Sequence, residues 1–335
     1  MSTHRTSTTT VDQRAATGEA HGKAILFGEH AVVYGAPALA LPLPELKCRA
    51  TVRRTTGPDA GVSRTRFPAP GPHGTQGEAA GGIPEELLLL LGAFTERTGL
   101  DTSPALEIRL DSHVPPCRGL GSSAANARAL VRALDALFGT CLDEQEIFDL
   151  VQVSEQSAHG SASGIDALTT GRERPVLLTD GQPRTPAVGA DFHVVVADSG
   201  NSGSTKKAVG MLRDAFARNP DHRTRFVHRS TGFTRAALDD LAAGHLPAVG
   251  RRLTDCHQLL AGLGLTTDRT DALARIALDA GALGAKMSGG GLGGCVVALT
   301  TTVAHAESVS TALTDRTGAR TWTTAVAKGA GHDGP

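Results

Sequence analysis

The residues at 119–125 place glycines and hydroxyl side chains immediately before a helix-forming segment. They read Gly-Leu-Gly-Ser-Ser-Ala-Ala, and a stretch rich in alanine and leucine follows at once. The first backbone N–H groups of a helix lack partners within the helix and carry a partial positive charge. Glycines let an anion approach those groups, and hydroxyls can hold the cation that accompanies a phosphate. The segment predicts a phosphate site, with an ordinary Ser-capped helix after a glycine turn as the alternative.

A second glycine cluster follows Lys286. Five of the six residues at 289–294 are glycine, and the apolar run 295–299 comes next. Such a turn exposes its backbone and could close over phosphates or a substrate, although a simple tight turn is the alternative. The sequence holds no Walker A loop, and no dinucleotide fingerprint follows a predicted strand with an acidic residue at the required distance.

Two carboxylates flank a run of small residues between Glu155 and Asp166. Paired carboxylates suit phosphoryl transfer, because one can complete the coordination of Mg²⁺ while the other orients and deprotonates an attacking hydroxyl. The alternative is two exposed acids beside a surface loop. His159 lies between them, and nothing near it in the sequence completes a metal-ligand set.

Three further polar residues surround the first apolar run, 24–27. Lys23 precedes it, and Glu29 and His30 follow it. Each also has a simpler interpretation, as a solvated flanking charge or as a turn residue. A fourth candidate, Thr205, follows a Ser/Gly/Asn-rich stretch that could be a plain loop and helix N-cap.

Composition narrows the function classes. The chain has 335 residues, 40% of them hydrophobic, so it can bury a large core in two domains. A net charge of −1, with one Trp and one Tyr, predicts neither nucleic acid nor a membrane as partner. The five cysteines are scattered singly, and no signal peptide or membrane-spanning run is evident. We therefore expect a cytoplasmic protein.

Local signals predict the elements that must position these residues. Residues 1–18 lack periodicity and are predicted to be disordered, and the Gly/Pro-rich residues 56–82 are predicted to form a long, mobile surface loop. Strands and helices alternate along the rest of the chain, which gives an α+β or α/β class with a boundary near 185–190. We predict helices at 84–99, from 143 towards 155, from 204, within 224–281 and at 305–317, and strands at 106–110, 192–197, 295–299 and 320–327.

Together, the segments resemble the mevalonate kinases of the GHMP kinase superfamily. The resemblance runs from about residue 20 to about 300 and is carried by three motifs in order. The first, Gly-Lys-Ala-Ile-Leu-Phe-Gly-Glu-His-Ala-Val-Val-Tyr-Gly at 22–35, is the most discriminating; the other two are residues 115–125 and 286–295. His21 departs from the pattern, in which proline precedes Gly-Lys, and Gly290 and Leu292 depart from the usual alternation of small residues.

The resemblance implies a role for each matching residue. Asp166 would be the base or orienting carboxylate for the substrate hydroxyl, and Lys23 would stabilise the transferring phosphoryl group. Ser123 and Glu155 would bind Mg²⁺ alongside ATP. The residues implied to line the nucleotide channel are Ser112, Gly119, Leu120, Gly121, Ser122, Ser123 and Ala124. Glu29, His30 and Thr205 would face the substrate, mevalonate, together with Lys23 and Asp166.

The resemblance also implies the architecture. The fold would be α+β with two domains, an N-terminal GHMP kinase domain at 19–187 with a left-handed βαβ crossover, and a ferredoxin-like C-terminal domain at 188–335. A homodimer is expected, because homodimers are common among relatives. The expected reaction is ATP-dependent phosphorylation of the 5-hydroxyl of (R)-mevalonate, an early step of isoprenoid biosynthesis.

Three alternatives remain at this point. Another small-molecule kinase of the superfamily, such as a phosphomevalonate or homoserine kinase, is the nearest; the former would need extra cationic residues near the acceptor. A catalytically silent sensor that binds nucleotide is less consistent with the presence of Lys23, Glu155 and Asp166 together. A dinucleotide oxidoreductase lacks its fingerprint.

Overall fold

The computed structural model describes residues 15–54, 65–69, 77–81, 83–100, 106–160 and 162–333, with 65–69, 77–81 and 332–333 described by their backbone alone. The strands are β1 (Ala15–Phe27), β2 (Ala38–Arg54), β3 (Thr65–Ala69), β4 (Gly77–Gly81), β5 (Leu106–Ser112), β6 (Val176–Thr179), β7 (Gln182–Thr185), β8 (Phe192–Asp198), β9 (Gly284–Ser288), β10 (Cys295–Thr300), β11 (Thr321–Val326) and β12 (His332–Asp333). The helices are α1 (Glu85–Thr98), α2 (Ser122–Phe138), α3 (Glu144–His159), α4 (Ile165–Thr169), α5 (Thr205–Arg218), α6 (Pro220–Ala242), α7 (Leu246–Ala261), α8 (Asp268–Asp279) and α9 (Val303–Thr317).

The strands form two sheets. The first has the order β12-β7-β6-β2-β5-β3-β4, with β1 paired to β2, and among its described strand pairs only β3–β5 is parallel. The second has the order β11-β8-β10-β9 and is antiparallel throughout. α2 packs on β1 and β2, while α8 and α9 pack on the second sheet. The predicted α+β class with two domains is therefore confirmed, and the arrangement places one glycine cluster beside each sheet.

The first strand begins earlier than expected. β1 starts at Ala15, inside the range 1–18 that was predicted to be disordered, so that prediction is wrong for residues 15–18; residues 1–14 lie outside the described chain. Small residues on one face let the strand lie close under α2. A Cβ placed on Gly18 would lie 2.3 Å from the carbonyl oxygen of Ala129. The polar composition concealed a strand whose inward positions are Ala and Gly rather than large apolar residues.

Several predicted elements are confirmed by their caps. α1 follows Pro84 and ends at Gly99, which has a left-handed φ of 65°. α3 begins with the predicted capping box, in which the Asp143 side chain accepts from Glu146 N and the Glu146 side chain accepts from Asp143 N. The Ser204 side chain accepts from Lys207 N at the start of α5. The strands predicted at 106–110, 192–197, 295–299 and 320–327 and the helix at 305–317 are present as β5, β8, β10, β11 and α9.

Two stretches differ from expectation. The predicted loop at 56–82 contains the antiparallel pair β3 and β4, so the loop prediction is wrong there; residues 56–64, 70–76 and 82 lie outside the described chain. The end of the chain returns to the first sheet, where β12 pairs with β7. An isolated bridge between Val188 and Gly329 joins the same two segments. The C-terminal residues therefore contribute to both sheets.

Among the described helices, none is long and apolar enough to cross a membrane.

Candidate active site

Two adjoining cavities lie where the two glycine clusters meet. The outer cavity, of about 440 Å³, is lined by the loop before α2, the start of α5 and the loop 289–294. The inner cavity lies beside the end of β1, α3 and α4. The two cavities share five lining residues: Gly119, His159, Asp166, Thr205 and Gly290. A group held in one cavity can therefore reach a group held in the other.

The two glycine loops pack directly against each other and leave backbone exposed to the outer cavity. Gly119 and Gly121 have φ values of 72° and 73°, and Gly121 is the N-cap of α2 without a side-chain capping bond. A Cβ on Gly289 would lie 2.6 Å from Gly119 Cα, and one on Gly121 would lie 2.9 Å from Lys23 Cγ. Only glycine fits this approach, and the free N–H groups of the first turn of α2 can bind an anion.

Lys23 and Asp166 form an ion pair at the junction of the cavities. Their Nζ and Oδ1 atoms are 2.9 Å apart, and Lys23 Nζ also donates to the carbonyl oxygen of Gly119 at 3.0 Å. The lysine is buried on β1, whereas the Asp166 side chain is 29% exposed at the start of α4. A fixed positive charge thus holds a carboxylate that remains accessible from both cavities. This arrangement can orient a hydroxyl and stabilise negative charge that develops beside it.

A hydroxyl and a second carboxylate lie next to this pair. The Ser123 hydroxyl donates to Glu155 Oε1 at 2.5 Å and lies 3.3 Å from His159 Nε2. Burial, and then the negative charge of Asp166, raises the pKa of Glu155 to about 7. Burial lowers the pKa of His159. No preformed group of three His, Cys, Asp or Glu ligands occurs among the described residues. A hydroxyl and a carboxylate are nevertheless the hard oxygen donors that Mg²⁺ takes when phosphate oxygens complete its shell.

The inner cavity ends at a buried turn after β1. Glu29 is ion-paired with Lys286 of β9, whose Nζ also donates to the carbonyl oxygen of Met287 at 2.7 Å. Burial, and then the charge of Lys286, lowers the pKa of His30 to about 4, so this imidazole is neutral. Glu29 Oε2 and His30 Nε2 are buried and have no hydrogen-bond partner within the described structure. Both side chains line the inner cavity and each keeps a polar atom with unused hydrogen-bonding capacity.

Of the other residues singled out in the sequence, some line the cavities and others do not. Ser122 lines the outer cavity and Thr205 lines both cavities. Leu120 and Ala124 have buried side chains, and the Leu120 carbonyl oxygen accepts from Lys23 N at 2.9 Å. Ser112 is not among the residues that line either cavity, and its hydroxyl accepts from Val114 N.

Lys286 is a site residue for which sequence reasoning proposed no role. It is fully buried and donates to the carbonyl oxygen of Ile25, besides pairing with Glu29. The available signal was a lysine directly before a glycine cluster and a buried strand, a position where an unpaired charge would be costly. The sequence does not reveal its partner, because Glu29 lies 257 residues away along the chain.

Comparison with known proteins identifies a family domain in each half of the chain. Residues 87–171 match the GHMP kinases N terminal domain, and residues 237–319 match the GHMP kinases C terminal domain. Mevalonate kinase of Pyrococcus horikoshii is 30% identical over 300 residues, which are 84% of this chain and 87% of that protein. Mevalonate kinase of Methanothermobacter thermautotrophicus is 32% identical over 280 residues, 83% of this chain and 88% of that protein.

Solved structures show the same fold. The structure of L. major mevalonate kinase in complex with R-mevalonate has a TM-score of 0.77 at 24% identity, and the alignment covers 94% of this chain and 96% of that one. The mevalonate kinase of methicillin-resistant Staphylococcus aureus MRSA252 has a TM-score of 0.66 at 27% identity, with 93% and 98% covered.

Proposed function

The chain belongs to the mevalonate kinases of the GHMP kinase family, and from this premise we propose that it transfers the γ-phosphoryl group of ATP to the 5-hydroxyl of (R)-mevalonate. The products are 5-phosphomevalonate and ADP, in the mevalonate route to isoprenoids. The observation that carries the proposal is the Lys23–Asp166 pair at the junction of an anion-binding cavity and an acceptor cavity.

We assign the chemical step to this pair. Phosphoryl transfer passes through a loose transition state, so catalysis depends mainly on positioning and on electrostatic stabilisation. Asp166 would orient the acceptor hydroxyl and take its proton. Lys23 would stabilise the negative charge on the transferring group, and its bond to the Gly119 carbonyl oxygen keeps it beside the phosphate loop. Asp166 lines both cavities, whereas Lys23 lines the inner cavity and is paired with Asp166 there.

We assign the outer cavity to ATP. The backbone of 119–124 and the Ser122 side chain would hold the phosphates, since the glycines expose the free N–H groups at the start of α2. Ser112 stays a prediction from the family resemblance alone.

The donor set beside the phosphate loop fits a magnesium ion. Ser123 and Glu155 would hold it together with phosphate oxygens, since both present hard oxygen atoms at one place. When bound, the ion would neutralise charge on the phosphate oxygens. The raised pKa of Glu155 is consistent with a cation-binding carboxylate, because a bound cation would offset the cost of burying the ionised form.

The charge of the inner cavity favours an unphosphorylated acceptor. Among the described residues that line it, Lys23 is the only Lys or Arg, and it is already paired with Asp166. A phosphomevalonate kinase would need additional cations there to bind the phosphate of its substrate. Glu29, His30 and Thr205 instead offer polar groups for hydroxyl and carboxylate, and Ile25, Val32 and Val209 offer apolar surface for a methyl group.

A coupled assay of ADP release tests the proposal. We expect turnover with mevalonate and not with phosphomevalonate, homoserine or galactose, each supplied with ATP and Mg²⁺. Asp166→Asn and Lys23→Met should lower kcat by about 10²–10⁴-fold with folding intact, because each removes a group that acts in the transition state. Asp214→Asn is the matched control, since that side chain is 61% exposed on α5. Turnover of another acceptor would replace the substrate, and full activity of Asp166→Asn would remove its assigned role.

Three further points rest on the sequence and the family and stay proposals: a boundary between the two domains near 187/188, a homodimer and a cytoplasmic location.

A further inference from the structure

One face of α3 presents three polar residues to the inner cavity. Gln152, Glu155 and His159 all line it, and their spacing places them along one side of the helix. His159 also lines the outer cavity, whereas Gln152 does not. Gln152 lies about 10 Å along the helix axis from His159, given a rise of about 1.5 Å per residue. It therefore faces the part of the inner cavity that is remote from the phosphates.

The carbonyl oxygen of the Gln152 carboxamide, Oε1, is buried and has no hydrogen-bond partner among the residues that the structure describes. A Cβ placed on Gly164 would lie 3.5 Å from Gln152 Nε2, so the amide lies near the glycine that precedes α4. α4 carries Asp166 in its first turn. A buried carbonyl without a partner is unfavourable, and a ligand in the inner cavity would remove that cost.

The chemistry of a carboxamide matches the far end of the acceptor. An amide offers a donor and an acceptor side by side. A 3-hydroxy acid offers a hydroxyl donor and carboxylate acceptors at similar spacing. No unpaired Lys or Arg lines the described inner cavity, so neutral donors must bind that carboxylate. We propose that Gln152 is a specificity-determining residue that hydrogen-bonds the 3-hydroxy acid end of the acceptor, an inference that rests on the proposed function.

The test compares two acceptors that differ only in the tertiary hydroxyl, mevalonate and 5-hydroxy-3-methylpentanoate. Wild type should prefer mevalonate by about 10-fold or more in kcat/KM, because a site with buried polar groups rejects a ligand that leaves them unpaired. Gln152→Met, which keeps the shape of the side chain, should lose most of this preference while the KM for ATP stays unchanged. Gln156→Met is the control, since Gln156 is exposed on the same helix.

Each outcome is decisive. An unchanged preference in Gln152→Met would overturn the inference even if its KM for mevalonate rose, since a purely structural role changes both acceptors alike. Gln152→Glu tests the inference independently, in case the Met variant does not fold. It adds a negative charge that faces the acceptor carboxylate, so it should raise the KM for mevalonate more than Gln152→Met does. An unaffected KM in Gln152→Glu would also overturn the inference. If wild type fails to turn over mevalonate at all, the proposed function fails and the inference falls with it.

Discussion

At the scale of single residues, Glu155 is held so that its charge changes near neutral pH. Burial and the neighbouring Asp166 raise its pKa to about 7, while the Ser123 hydroxyl and Lys23 oppose that shift. A cation that needs the ionised carboxylate must therefore compete with a proton. Without a bound cation, the protein carries an unfavourable buried charge above this pH, which is the cost expected for the Mg²⁺ ligand that we propose Glu155 to be.

Replacing this carboxylate should stabilise the metal-free protein. Because the pKa of Glu155 rises from the ordinary value of 4.5 to about 7 on folding, the stability it contributes is complete below about pH 4.5. That contribution is lost as the pH rises through 7. At pH 8 in the presence of a chelator, Glu155→Gln should therefore raise the free energy of unfolding by on the order of 1–3 kcal/mol, and Tm should rise with it. At pH 4.5 the substitution should have little effect on either quantity.

Differential scanning calorimetry at both pH values would measure the effect. Glu307→Gln, at an exposed position of α9, is the control and should leave Tm unchanged. A stabilisation of equal size at both pH values would contradict the argument, because titration of Glu155 would then not be its source. The same variant should lose activity even at saturating Mg²⁺.

At the scale of elements, α2 begins and ends with a left-handed glycine, and only one of the two glycines is crowded. A Cβ placed on Gly121, at the N-cap, would lie within about 3 Å of Lys23 carbons, whereas one placed on Gly139, at the C-cap, would meet open space. Gly121→Ala should therefore displace Lys23 and the phosphate loop and lower kcat/KM by about 10-fold or more, in addition to its strain.

Gly139→Ala supplies the matched control for this prediction. It imposes a similar left-handed strain, with a cost of about 1 kcal/mol, at the distant end of the same helix. It should lower Tm and leave kcat/KM for ATP and mevalonate unchanged. If both variants lost activity alike, strain in α2 rather than the contact with Lys23 would be responsible.

Local elements were predictable because their signals are local. The Asp143–Glu146 capping box, the Ser204 cap and the Gly99 C-cap fix helix ends through neighbours only three or four residues away. The strands that escaped prediction, besides β1 before residue 19, are β2, β3, β4, β6, β7 and β9, because a strand is stabilised by pairing with distant segments that a local pattern does not show. The return of β12 to the first sheet carries no local signal for the same reason.

For the candidate site, too, the sequence predicted what motifs carry and missed what depends on long-range contacts. Family motifs predicted that Lys23, Ser123, Glu155 and Asp166 would meet, and the structure brings these four side chains together. Lys286 was missed because only the tertiary fold shows which buried carboxylate it faces. The orphaned carbonyl of Gln152 was missed for a related reason, since a sequence does not show which polar atoms are left without a partner.

At the scale of the whole molecule, β9 joins the second sheet to the acceptor side of the site. The Ser288 hydroxyl accepts from Ile25 N at 2.9 Å and lies 3.0 Å from the Ile25 carbonyl oxygen. At the preceding residue, Met287 N donates to His257 of α7 at 3.1 Å. These contacts fix β9 between α7 and β1, so the residue that neutralises Glu29 comes from the half of the chain that does not carry Glu29. Acceptor binding should consequently depend on the docking of the two halves.

Substitutions in the Glu29–Lys286 pair test that dependence, since the two residues are only 3% and 0% exposed. Lys286→Met would leave the Glu29 charge buried without its partner, and the loss in unfolding free energy should be about 3–5 kcal/mol. Glu29→Gln combined with Lys286→Met removes both charges and should recover most of that stability, which thermal or urea denaturation would measure. The KM for mevalonate should stay raised in the double variant, because Glu29 lines the inner cavity and its carboxylate, with the unpartnered Oε2 atom, is absent from that variant. Recovery of both stability and KM would instead make the pair a structural contact with no part in binding the acceptor.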